Sequence, residues 1–130
     1  MKLDDWPQKL DDYLLICRDD PFAYGVSDCC QFIAGAIEAI TGEDLRELFP
    51  IYGSEEEAQI ILDEHGGLAG LLTHALGDPI HVSQMGRGDV CITEPDGAAR
   101  VCTGHFLVSR GADGLAWVNR RRAVMAWRVG

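Results

Sequence analysis

An adjacent pair of cysteines and four histidines are the residues of this chain best suited to covalent catalysis. Cys29 stands where a thiolate forms most easily. In Phe22-Ala23-Tyr24-Gly25-Val26-Ser27-Asp28-Cys29-Cys30-Gln31-Phe32, Ser27 or Asp28 supplies an N-cap, and Gln31 follows Asp28 by three residues as in a capping box. Phe32, Ile33, Ala36, Ile37 and Ile40 then recur at helical spacing. The pattern predicts a buried helix from Asp28 to Ile40, stopped by Gly42. A thiol in its first turn meets unpaired N–H groups and the positive end of the helix dipole, which lower its pKa. Cys30, one residue on, turns to another face, and the sequence leaves an exchange of roles between the two open.

A cysteine hydrolase also needs a histidine to carry the proton and a group to orient that histidine. His65 adjoins the Gly66-Gly67 helix stop, His74 falls on the polar side of a helix, and His81 follows Pro79 in a connection. His105, between Gly104 and the apolar run Phe106-Leu107-Val108, is the best candidate base in the strand-rich half.

The elements that must position these residues divide the chain in two. Trp6, Leu10, Tyr13, Leu14 and Cys17 predict a first amphipathic helix that closes before Pro21. Ser54-Glu55-Glu56-Glu57 opens a third helix, and Leu68 to Leu76 forms a fourth, closed by Gly77-Asp78-Pro79. After Gly88-Asp89 the pattern becomes short β-type runs: Val90–Thr93, Arg100–Thr103, Phe106–Ser109, Leu115–Asn119 and Val124–Val129. Glu94-Pro95-Asp96-Gly97 and Gly111-Ala112-Asp113-Gly114 read as turns, and Arg120-Arg121-Arg122 as an exposed turn or a docking element. Helices followed by strands indicate an α+β fold in one domain, 1–130, with a small antiparallel sheet. Trp6, Phe32, Ile33, Ile37, Val90, Ile92, Val101, Leu107 and Trp127 are the expected core.

Composition narrows the function classes. The net charge is −10, with 16 acidic and 4 basic side chains in residues 1–65 against 5 and 7 in residues 66–130. Such a field disfavours nucleic acid and suits either solvated helix faces or a basic partner. No stretch is long and apolar enough to span a membrane, and Met1 to Trp6 lacks the pattern of a signal peptide, so synthesis in a cytoplasm is expected. Five cysteines, two of them adjacent, argue against a disulfide framework. Cys29, Cys30, Cys91 and Cys102 lack metal-ligand spacing, and neither metal nor cofactor is expected. Arg87-Gly88-Asp89 matches a cell-adhesion tripeptide, but its Gly-Asp is better explained as a turn into a strand.

Gly25-x-x-Asp28-Cys29-Cys30-x-Phe32, followed by Gly88-Asp89 before a strand, resembles the NlpC-type peptidoglycan cysteine peptidases of the papain-like superfamily. Trp6, Pro21-Phe22-x-Tyr24-Gly25, Thr41-Gly42, Gly114-Leu115 and Ala126-Trp127-Arg128-Val129 extend the likeness to nearly the full length. In that combination the chain is similar to a compact NlpC-like family encoded in phage and prophage tail modules. The resemblance implies a papain-like NlpC-type α+β fold with Cys29 at the nucleophile position. It also implies a histidine at the strand start after Gly97, where this chain reads Ala98-Ala99-Arg100. His105 replaces that histidine only if a tight turn at Thr103-Gly104 returns it, because seven residues beyond Ala98 span about 23 Å when extended. The implied role is therefore a structural or assembly component of a phage tail tip, located in the virion tail and contacting other tail-tip proteins. The alternative is a hydrolase that cleaves a peptide bond in peptidoglycan during genome entry.

Overall fold

A computed structural model describes residues 2–18, 29–45, 54–64, 66–95, 97–111 and 114–130. The helices come first. Helix α1 (Trp6–Cys17) carries Pro7 in its first turn, where the missing N–H costs nothing, and buries Leu10, Leu14 and Cys17 along one stripe. Helix α2 (Cys29–Thr41) is buried on nearly every side from Phe32 to Ile37, as befits a central helix. It stops at Gly42, whose φ of +79° suits glycine and whose N–H donates to the Glu38 carbonyl at 2.8 Å. Helix α3 (Glu55–Glu64) starts as its sequence dictates, with the Ser54 hydroxyl accepting the Glu57 N–H at 3.2 Å. Helix α4 (Gly67–Leu76) buries Leu71 and Leu72.

The second half forms an antiparallel sheet of β1 (Val90–Thr93), β2 (Ala99–Cys102), β3 (Phe106–Gly111), β4 (Gly114–Asn119) and β5 (Ala123–Trp127), in spatial order β4-β3-β2-β1-β5. Val90 pairs with Val101, Val101 with Val108, and Val108 with Trp117, so one row of side chains crosses four strands on the same face. That face packs on α1, α2 and α4 and holds the main core, including Phe32, Ile37, Val101 and Trp127. The opposite face buries Cys91, Cys102, Leu107 and Ala126 under Met85 and the half-buried Ile80 and Val82. Both faces of β1 and β2 are thus covered, which explains why these strands do not alternate apolar with polar.

The α+β architecture with an antiparallel sheet is as the sequence predicts, and the strand limits shift by one or two residues. Leu107 contributes to the second cluster and not to the helix-facing core. Trp6 is only partly buried: it packs on Gly88, where a Cβ would approach its ring to 2.9 Å, and Lys2 Nζ lies 4.9 Å from the ring centroid. No helix among the described residues is long and apolar enough to cross a membrane.

Candidate functional site

Helix α2 begins at Cys29, the position its capping signals predict to within a residue. The side chains of Cys29 and Cys30, the Asp28 cap and His65 lie outside the described residues. The direction of α2 across the sheet fixes what Cys29 can meet. One turn after the start, Phe32 packs beneath Arg110, whose guanidinium carbon is 5.8 Å from the ring centroid, and its carbonyl accepts the Tyr13 hydroxyl at 2.9 Å. At the other end, Ile37 and Thr41 share a cavity with Val129 and Gly130. The Val129 N–H donates to Asp89 Oδ1 at 3.2 Å, and Asp89 immediately precedes β1. The start of α2 therefore faces the sheet end where β2 begins and β3 finishes.

His105 stands at the other end. It lies in the β2–β3 turn, just past Cys102, whose N–H donates to the Asp89 carbonyl at 2.8 Å. Five residues separate it from Arg110 along β3, about 17 Å of extended chain. Its side chain is exposed and lines an open groove of about 420 Å³ with Val82, Ser83, Asn119, Arg120, Arg121 and Ala123. Val82 and Ala123 pack on the second core, on the face turned away from α2. The Thr103-Gly104 turn does reverse the chain, but at the far end of the sheet. His74 is exposed on α4, and His81 Nδ1 accepts the Ser83 N–H at 3.1 Å as a local cap.

Near the start of α2 the sheet offers Ala98, Ala99 and Arg110, with Arg100 on the sheet's other face. Ala99 lies fully buried in the helix-facing core. Arg110, also buried, donates from Nη1 to the Cys17 carbonyl at 3.2 Å and from Nη2 to Cys17 Sγ at 3.1 Å. Arg100 is buried on the opposite face, with Nη1 donating to Ser109 Oγ at 2.9 Å and the Ala116 carbonyl at 3.1 Å, and Nε to Thr93 Oγ1 at 3.2 Å. Guanidinium groups favour an anion nearby and offer donors only, with no acceptor atom. Local sequence marks neither arginine as an anchor, because their partners come from other strands and helices.

The remaining motif residues are structural. Asp89, 2% exposed, accepts the Gly86 N–H on Oδ2 at 2.9 Å and the Val129 N–H on Oδ1, tying the entry of β1 to the C-terminal segment. Arg87 pairs with Asp11 at 2.9 Å, so the Arg87-Gly88-Asp89 tripeptide is engaged internally. Arg120 donates to the carbonyls of Gly104 and Met85 and is a fastening of the second face, while Arg121 and Arg122 are exposed. Cys17, Cys91 and Cys102 are buried free thiols. Burial, helped by the neighbouring Cys102, pushes the Cys91 thiol up to about 12. Among the described residues no group of three metal-ligating side chains converges.

Residues 1–129 match DUF6950, a domain of unknown function, and the chain belongs to that family. The comparison with curated proteins gives no match.

Proposed function

We propose that this family member is a structural or assembly component of a phage or prophage tail tip, built on a papain-like, NlpC-type scaffold that has given up catalysis. The observation that carries the proposal is the placement of His105 at the sheet end opposite the start of α2. A nucleophile–base pair works at hydrogen-bond reach, about 3 Å, and here the candidate base sits on the order of 15 Å or more from where the nucleophile begins its helix. Where the NlpC-type resemblance calls for a histidine, the chain supplies Ala98 and the buried Ala99. Arg110 beside them is a hydrogen-bond donor and positions Cys17 and Phe32. A fold kept without a base in reach among the described residues has been kept for its surfaces.

Those surfaces are charged oppositely. The first half carries the acidity, and Arg121 and Arg122 project from the turn before β5. Contacts with other tail-tip subunits through either surface would bury roughly 1,200 Å² or more, with rim charges making assembly rate depend on salt.

The test is peptidoglycan digestion together with particle assembly. Purified protein is expected to release no peptide fragments, and Cys29→Ala is expected to leave particle assembly intact. Cleavage abolished by Cys29→Ala would establish the hydrolase instead. A particle structure lacking this chain would remove the assembly role.

A further inference from the structure

One groove departs from the charge of the rest of the chain. Acidic side chains outnumber basic ones 21 to 11, yet the groove beside His105, on the sheet face turned away from α2, is lined by two arginines and a histidine and by no carboxylate among the described residues. Its volume of about 420 Å³ is that of a small-molecule site. The end of the β3–β4 ladder builds it: Phe106 pairs with Asn119, and one step further out the Arg120 N–H donates to the His105 carbonyl at 3.0 Å. Arg120 is held in place, because Nη1 donates to the Gly104 carbonyl at 3.4 Å and Nη2 to the Met85 carbonyl.

The walls are rich in donors and poor in acceptors. Asn119 Oδ1 accepts the Arg121 N–H at 2.9 Å, which leaves the amide its NH2 to offer. The Arg121 guanidinium and the His105 ring are exposed and make no hydrogen bond or ion pair among the described residues. The side-chain acceptors left over are Ser83 Oγ, whose hydroxyl donates to His81 Nδ1 at 2.7 Å, and one nitrogen of a neutral His105 ring. Val82 and Ala123, packed on the second core, add an apolar wall.

We propose that this groove binds a small molecule that carries an oxyanion, as a phosphate monoester or a carboxylate, on an apolar body. The oxyanion meets Arg121, His105 and the Asn119 NH2, with the fixed charge of Arg120 close by. Guanidinium forks match the oxygens of both anions, and hydrogen bonds to a charged acceptor are roughly twice as strong as neutral ones. The apolar body lies against Val82 and Ala123 and removes their exposed surface from water. An arginine merely turned to solvent would need neither the neighbouring donors nor the apolar wall. The inference concerns the sheet face opposite α2 and does not depend on the tail-tip role.

The test is an NMR titration of the isotope-labelled full chain at physiological ionic strength with phenyl phosphate and, separately, benzoate. At least one probe is expected to shift the amide signals of His105, Asn119, Arg121 and Ala123 with a Kd on the order of 1 mM or tighter. Tighter binding of phenyl phosphate identifies a phosphate monoester as the source of the oxyanion, and tighter binding of benzoate a carboxylate. Inorganic phosphate, without an apolar body, and benzyl alcohol, without a charge, are each expected to bind more weakly by about fivefold or more. Arg121→Gln is expected to weaken the preferred anion by about fivefold. Arg122→Gln, which removes the same charge from the next exposed side chain, outside the groove, is expected to leave affinity unchanged. Both variants should keep the parent circular dichroism. Absence of shifts with either anion, equal losses in the two arginine variants, or binding of inorganic phosphate or benzyl alcohol as tight as that of the preferred anion overturns the proposal. So does a hexaglutamate peptide that shifts these signals when neither small anion does, because an acidic protein segment would then be the occupant.

Discussion

The Arg110 guanidinium lies 5.8 Å from the ring centroid of Phe32, one turn into α2, and this stacking sets the end of the sheet that Cys29 faces. Arg110 also holds Cys17 through both its carbonyl and its sulfur, so α1, α2 and β3 meet at one buried cation. The start of α2 thereby faces a region with positive charge, but the candidate histidine is elsewhere.

His105 is expected to be irrelevant to any chemistry at Cys29. The pH dependence of Cys29 alkylation, measured in a Cys30→Ser background, should be the same with His105 and with His105→Ala. A rate profile that changes shape in the His105 variant would show that the two residues communicate.

Cys91 gives the protein a defined alkaline sensitivity. Its thiol is raised from 9.0 to about 12 in the folded protein, first by burial and then by Cys102, with Arg100 and Arg120 opposing. Below pH 9 folded and unfolded chains both keep this proton, and the group adds no pH dependence. Between about 9 and 12 the unfolded chain releases it while the folded chain retains it, so stability falls as pH rises. Denaturation midpoints should therefore decline across that window less steeply in Cys91→Ala than in the parent. Parallel declines would contradict the assignment.

Asp89 is expected to be a stability residue. Asp89→Ala leaves the Val129 and Gly86 N–H groups without their acceptors and should cost about 3 kcal/mol, whereas Asp89→Asn keeps an acceptor oxygen for one of them, sets an NH2 donor against the other, and should cost about 2 kcal/mol. Urea denaturation checks both. Equal losses would mean that one retained acceptor contributes nothing and that the site needs both carboxylate oxygens.

Gly35 and Tyr13 should be coupled. In an open helix Gly→Ala stabilises by about 1 kcal/mol, but a Cβ at Gly35 runs into the Tyr13 phenol, whose hydroxyl donates to the Phe32 carbonyl. Gly35→Ala should therefore destabilise by about 1–3 kcal/mol. In a Tyr13→Ala background, with the hydroxyl and the ring carbons that the Cβ would meet all removed, the loss should be smaller by at least 0.5 kcal/mol, roughly the lower limit for coupling between residues in contact. Strict additivity in the double-mutant cycle would show that the contact is not the cause.

Local chemistry in the sequence was enough to place most elements. Apolar residues at helical spacing, Gly42 and the Ser54 cap located α2 and α3, and short β-type runs separated by glycine turns located the strands. These signals are legible because each acts over a few residues along the chain. The candidate site was legible only in part. Cys29 at a helix start follows from capping, but whether His105 approaches it depends on strand register and on the direction in which α2 crosses the sheet. Those are set by contacts between residues far apart in the chain, such as Arg110 with Phe32 and Val129 with Asp89. Trp6 and Leu107 were likewise identifiable as apolar, but not which surface each would meet. Burial of Arg100 and Arg110 had no local signature, because an arginine can be buried only where hydroxyls, carbonyls and thiols from several strands and helices converge on it, and only the tertiary structure decides that.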